Sequence, residues 1–263
     1  MYLPSATIGQ LPGAPRTNRS APGSAGAGTR LHLLGRFSLL VDGQSIPVGA
    51  SAQRLLALVA LAGTTVSRRR AAGTIWPEAS PERASANLRS VLWRLQQCPA
   101  PVLESSFADL SLPPCVEVDV RHVTALAHRL LDRSVTMDLD HLSTALHSNL
   151  HDNLLPDLDD DWLVPERTRY RQLRLHALES LAERLIAAGC FGAAVDTALA
   201  AVRADPFRES AHKALILAYL AEGNQNDAYQ QFRAYQSTMR RELGLEPSEQ
   251  LHQLLRCGRP AAR

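Results

Sequence analysis

The segment Pro81–Gln97 reads PERASANLRSVLWRLQQ, and the chemistry open to it is contact with a polyanion. Wound at about 100° per residue, it places Ala84, Leu88, Val91, Leu92 and Leu95 along one side. Arg83, Ala86, Ser90, Trp93, Arg94 and Gln97 fall on the other, with Asn87 and Arg89 at the flanks. The first set can enter a core. The second offers guanidinium groups for phosphates and hydrogen-bonding groups for base edges, and no carboxylate stands among them. A solvated amphipathic helix would show the same pattern, so the surrounding elements must decide between the two.

Composition removes other chemistries. The 263 residues suffice for two ordinary domains, 45% are hydrophobic, and the net charge of +2 does not mark a bulk polyanion binder. Basic character is local: Arg16, Arg19 and Arg30 open the chain without an acid, while Asp157, Asp159, Asp160 and Asp161 cluster later, where a solvated acidic turn is expected. The only lysine, Lys213, follows no glycine turn, so a nucleotide-binding P-loop is excluded. Cys98, Cys115, Cys190 and Cys257 form no CxxC pair, which supports neither a zinc ribbon nor a redox motif. His147 and His151 stand four apart beside Asp152, with His141 upstream, but no third ligand at helical spacing completes a metal set, so surface or capping roles are expected. No GxSxG elbow exists, and nothing points to an enzyme, a metal or a cofactor. No secretory signal and no apolar run near ~20 residues is visible, so the expected setting is the cytoplasm, with reduced thiols and no membrane contact.

The elements that would position the basic segment follow from hydrophobic period and turn chemistry. Residues 1–30, rich in Gly, Ala, Pro and Ser, are expected to be a disordered arm, either passive or reaching a minor groove through Arg16 and Arg19. Leu31, Leu33, Phe37, Leu39 and Val41 alternate as strands do, Asp42-Gly43 marks a turn, and Ile46-Pro47-Val48 reads as a return strand, predicting a small antiparallel sheet. Gln53–Ala62 reads as a central helix. Ser67 caps a second helix, Arg68–Trp76, whose first turn holds Arg68, Arg69 and Arg70; these could meet phosphates or simply be solvated, since cations there oppose the helix dipole. Ser80-Pro81 caps the third helix. VLESS and ADLSL then form two short strands with Ser105-Ser106-Phe107 near the tip. Sheet, three helices and hairpin, in that order, is a winged helix-turn-helix.

From Val118 onward the pattern is helical. At a spacing of 34 residues Ala177 matches Ala211, Leu181 matches Leu215, Gly189 matches Gly223 and Ala194 matches Ala228; Leu185, Ala198 and Ala201 stand opposite Tyr219, Phe232 and Tyr235. Turn glycines, small residues at helix contacts and closing prolines (Pro206, Pro247) describe tetratricopeptide-like hairpins, which stack and present a surface to a partner. The predicted class is mainly α with small β-sheets: arm 1–30, winged helix-turn-helix 31–117, an all-α tetratricopeptide-like domain 118–258, and a tail 259–263.

LHLLGRFSLLVDG, QRLLALVAL and NLRSVLWRLQQ in the first half, with DDDWLVPERTRYRQLRLHALESLAERLIAAG and AVRADPFRESAHKALILAYLAEGNQNDAYQQFRAYQSTMRRELGLEPS in the second, resemble the Streptomyces antibiotic regulatory protein family over residues 31–255. The resemblance implies a winged helix of the OmpR/PhoB type joined to a bacterial transcriptional activator domain. It implies a transcriptional activator that binds direct repeats in double-stranded promoter DNA, with two copies in head-to-tail contact, and that contacts RNA polymerase and its sigma factor. Its targets would be secondary-metabolite gene clusters. In that setting Arg83, Arg89 and Arg94 are the leading DNA contacts, with Asn87 and Ser90 for base edges or phosphates. Trp93 presses on a sugar or thymine methyl, or packs on the second domain. Arg68, Arg69, Arg70 and the wing residues Ser105 and Ser106 complete the candidate set. Two departures favour a second reading, a protein-interaction module whose winged helix no longer binds DNA: Phe107-Ala108-Asp109 replaces the family's Gly-Tyr pair in the wing, and Gln96-Gln97-Cys98 replaces an arginine-rich helix end.

Overall fold

The computed structural model describes residues 28–257. The arm residues Arg16 and Arg19 and the tail 259–263 lie outside the described residues.

Order starts slightly before Leu31. Strand β1 (Thr29–His32) pairs antiparallel with β2 (Ser38–Val41), Leu31 facing Leu39. At the turn, Asp42 (φ 49°) and Gly43 (φ 79°) both take the left-handed conformation, the signature of a two-residue hairpin loop. This loop starts the return strand β3 at once, at Gln44–Ser45, so the expected strand over Ile46–Val48 is corrected. Pro47, which has no amide to donate, lies beyond the paired segment. The sheet is also not purely antiparallel: β7 (Val116–Val118) joins its far side parallel to β1, giving the order β3-β2-β1-β7.

Helix α1 (Ala50–Ala62) buries Leu55 to Ala60 and stops at Gly63, whose φ of 69° suits a residue without a side chain. A two-residue strand, β4 (Val66–Ser67), leads into α2 (Arg68–Ile75), and α3 (Pro81–Leu95) follows. The predicted caps form: Ser67 Oγ accepts from the Arg70 amide and Ser80 Oγ from the Arg83 amide, each at 3.3 Å, with Pro81 opening α3. The hairpin β5 (Glu104–Ser105) and β6 (Asp109–Ser111) pairs through β6 with β4, which fastens it beside the start of α2.

Helices α4 (Asp119–Leu131), α5 (Leu139–Leu146), α6 (Val164–Ala187), α7 (Phe191–Ala204), α8 (Glu209–Glu222), α9 (Gln225–Leu243) and α10 (Glu249–Cys257) make up the rest. The repeat residues Ala177, Ala211, Leu181, Leu215, Ala194 and Ala228 are all fully buried, and Gly189 and Gly223 adopt φ of 75° and 93° between paired helices. Small residues at these contacts let helix axes approach closely.

The two halves are locked together by polar contacts. The Leu33 and Leu34 amides donate to the Asp119 carboxylate at 2.9–3.0 Å, Gly35 N donates to Asn153 O at 2.8 Å, and Leu155 N donates to Leu33 O at 2.8 Å. Asp160 departs from the expected solvated turn: it is only 8% exposed and takes the Arg54 guanidinium of α1 in a two-pronged contact, Nε lying 2.7 and 2.9 Å from its two oxygens. Burial of one acid from that cluster is possible because a cation arrives from the other half of the chain.

Candidate nucleic-acid interface

Along α3 the buried residues are Ala84, Leu88, Val91, Leu92 and Leu95, the row predicted from periodicity. They pack on α1 and α2. Arg83, Arg89, Ser90, Trp93 and Arg94 are exposed and Asn87 is half-buried at the flank. From Arg83 to Trp93 the row runs about 15 Å, the reach of roughly four base-pair steps. Trp93 is 64% exposed, so it does not pack on the helical half. Ser90 Oγ donates to Ala86 O at 3.2 Å, and Arg94 Nε to Ser90 O at 3.3 Å, which pins the stem of Arg94 along the helix and leaves its terminal nitrogens outward.

Among the described residues none of Arg69, Arg70, Arg83, Arg89 and Arg94 forms an ion pair. One acid stands close by. Glu82 is exposed in the first turn of α3, where hydrogen bonds from its own backbone amide and from the Ser80 hydroxyl hold its carboxyl below the ordinary value. Its place at the positive end of the helix dipole explains why it stays ionised there.

The other candidates separate. Arg68 is half-buried, its amide donates to Ala108 O at 2.8 Å, and its Nη1 donates to Ser106 O at 3.1 Å, so this arginine braces the wing. Arg69 is exposed. Arg70 lines a groove of about 690 Å³ between the α1–α2 turn and α4 and α6, away from the α3 row. Ser106 Oγ accepts from the Asp109 amide at 2.9 Å and the Ala108 amide at 3.3 Å, which closes the wing turn and ties up the hydroxyl. Ser105 is exposed, but Glu104 and Asp109 flank the tip. Sequence reasoning missed the brace from Arg68 and the full exposure of Phe107, at 99%. The replacement of the Gly-Tyr pair pointed to the tip without saying how it stands.

Of the histidines considered for a metal, His141 Nδ1 lies 2.5 Å from Asp138, the cap of α5, and His147 Nδ1 donates to Ser143 O at 2.7 Å. Each has a local partner. Among the described residues no helix is long and apolar enough to cross a membrane.

The profile of the bacterial transcriptional activator domain matches residues 117–256. The chain belongs to the bacterial transcriptional activator domain family. It is similar to the regulatory protein AfsR of Streptomyces coelicolor, 27% identical over 86% of this chain and 24% of AfsR. It is also similar to the transcriptional regulatory proteins EmbR and MoaR1 of Mycobacterium tuberculosis. EmbR is 29% identical over 88% of this chain and 64% of its own length; MoaR1 is 26% identical over 95% and 86%. The chain thus spans less than two thirds of AfsR and of EmbR. The solved structure of M. tuberculosis EmbR in complex with a low-affinity phosphopeptide superposes with a TM-score of 0.69 at 26% identity, over 89% of this chain and 66% of that one. The predicted architecture, small sheets and a winged helix followed by an all-helical activator domain, is the one observed. The matched family is one of transcriptional activator domains and not of enzymes, and the relatives carry the names of regulatory proteins.

Proposed function

We propose that this chain activates transcription by laying α3 in the major groove of promoter DNA, with residues 31–117 as the reader and 118–258 as the part that meets RNA polymerase and its sigma factor. The observation that supports this best is the outward row of α3, whose arginines are exposed and without internal anionic partners. Arg83, near the helix start, and Arg89 take phosphates or guanine edges; Asn87 and Ser90 lie beside them for base edges, Trp93 supplies an apolar surface for a thymine methyl or sugar, and Arg69 and Arg94 add charge. Two copies on a direct repeat, a secondary-metabolite cluster as target and a location on the cytoplasmic nucleoid belong to the same reading.

A gel-shift titration on the promoters beside the gene, repeated over a salt series, tests it. Affinity should fall linearly in log salt, with a slope near −0.9 per phosphate neutralised, and should favour a repeat over random duplex. Affinity that ignores salt and sequence would refute DNA reading. The wing gives the second reading its support, because its serine hydroxyl and the nearest arginine are engaged internally and its tip carries acids. An interaction module of that kind would show no duplex affinity at low salt.

A further inference from the structure

Two polar groups one turn apart on α6 are buried with nothing to bond to. Tyr170 is 7% exposed and Arg174 3%; the Tyr170 hydroxyl and the Arg174 Nε are enclosed and have no hydrogen-bond partner among the described residues. Enclosed donors are almost always paired in native proteins, so two side by side call for an explanation. Both residues line a pocket of about 290 Å³, with Leu154 and Arg167 beside them and the exposed Asn153, Pro156 and Arg171 at its rim.

Three guanidinium groups meet in this wall, and only Arg171 has a carboxylate partner, Asp205 at 3.0 Å. Arg167 is spent on three backbone carbonyls, and Arg174 Nη1 on His151 O and Asn153 Oδ1, all neutral acceptors. Asp152 acts on Arg174 through space without forming an ion pair, and burial, the larger effect, holds the guanidinium pKa below its ordinary value. A water molecule can bond to the two donors but cannot offset the charge; an anion does both. The Arg174 Nη2 also has no partner among the described residues, and unlike Nε it is not enclosed. The Nε–Nη2 edge of the guanidinium is therefore open, with the Tyr170 hydroxyl nearby.

The wall is strained as well. Leu155, 1% exposed, holds a φ of 43°, a left-handed conformation uncommon for a residue with a side chain, and it precedes Pro156. Strain of this kind gathers at ligand clamps and switches. The same stretch carries the joint to the first half: Asn153 O and Leu155 N bond to Gly35 and Leu33, and Leu154 bridges to Leu34.

We propose that this pocket takes a small carboxylic acid, its carboxylate seated on the Nε–Nη2 edge of Arg174 and on the Tyr170 hydroxyl, its apolar body against Leu154 and Pro156. A two-oxygen anion matches that fork, whereas the further oxygens of a phosphate find no free donors on the floor. Burial pushes the Tyr170 pKa well up, so the phenol stays a donor. The volume stands at the small end of the roughly 300–1,000 Å³ usual for ligand sites. An occupied pocket braces the segment 153–156, and with it the joint between the halves. This goes beyond the proposed function and does not rest on it.

The test uses full-length ¹⁵N-labelled protein titrated with sodium benzoate at constant ionic strength and followed by NMR. The Arg174 Nε–H signal should move saturably, and hydrogen exchange at the Gly35 and Leu155 amides should slow. Tyr170→Phe removes a hydroxyl that bonds to nothing, so the melting temperature of the free protein should hold or rise while benzoate affinity falls about tenfold. A lower melting temperature would mean that the hydroxyl already has a partner, which removes the basis of the site. The proposal is overturned by a titration that does not saturate, by equal affinity in Tyr170→Phe, by inorganic phosphate saturating the site where benzoate does not, or by a benzoate-soaked crystal that holds only ordered water there.

Discussion

The arginines of α3 and those of α6 are the same residue on the same kind of element, yet they do opposite work. On α6, Arg167 gathers the carbonyls of Leu154, Leu155 and Leu158, while the buried Arg174 donates from Nη1 to His151 O and Asn153 Oδ1 at 3.2 and 2.8 Å and leaves its Nε without a partner among the described residues. Arg184 holds the carbonyls of Leu130, Asp132 and Val135 at 2.7–3.1 Å. These side chains replace the missing backbone partners of irregular segments, which makes them part of the fold. Arg83 and Arg89 on α3 form no ion pair among the described residues, and their exposed charge is available to an external anion. A guanidinium that is internally satisfied stabilises the protein; one that is not can bind.

The sharpest way to break this contrast is at the joint between the halves. Asp160→Asn should destabilise the protein by about 3 kcal/mol, since it leaves the partly buried Arg54 without its counter-charge; urea unfolding measures it, and an unchanged midpoint would move Asp160 out of the structural class. Arg89→Ala should do the reverse. Duplex affinity should drop by about 1–3 kcal/mol with relaxed specificity if Arg89 reads a base, while stability stays within about 0.5 kcal/mol. Gel shift and thermal melting on the same preparation decide, and loss of both would mean that Arg89 belongs with the α6 group. Arg83→Ala, as a phosphate contact, should weaken binding to all sequences alike and make the salt slope shallower by about 1, visible in the salt titration.

The smallest effect concerns a buried histidine in the repeats. His212 donates from Nε2 to Pro206 O at 2.9 Å, accepts at Nδ1 from the Gln231 amide at 2.9 Å, and stacks on Tyr235 at 4.1 Å. Burial, the main cause, holds its pKa below the ordinary 6.5. The unfolded chain therefore binds the proton more readily. Stability is fully present above about pH 6.5 and is lost as pH falls through the lower folded value. Melting temperature should decline between pH 6.5 and 5, and His212→Gln should reduce that decline without removing it. A profile identical to that of the parent protein would discount the buried ring.

Much of the candidate site was readable from local pattern. The inner row of α3 was predictable because a helix repeats its faces every 3.6 residues, and five apolar positions at that spacing can point only one way. The caps Ser67 and Ser80 were readable because the amides they satisfy lie three residues on. The paired small residues of the repeats were readable because stacked hairpins impose one spacing. By contrast, the roles of Arg68 and Ser106 were not, because nothing in RRR or ESSF says that the guanidinium at the start of α2 meets the carbonyl of a wing residue far along the chain.

By itself, then, the order of residues determined the helices, their buried faces and the family resemblance, since those depend on neighbours within a few turns. The short strands β3, β4 and β7 took their places from the strands they pair with. Tertiary structure decided which charges remain free. It drew Asp160 inward to Arg54, set β7 parallel to β1, left Trp93 in solvent and raised Phe107 into it. Each of these outcomes depends on whether a group from a distant segment arrives to satisfy or cover the residue, and a linear pattern carries no record of that encounter.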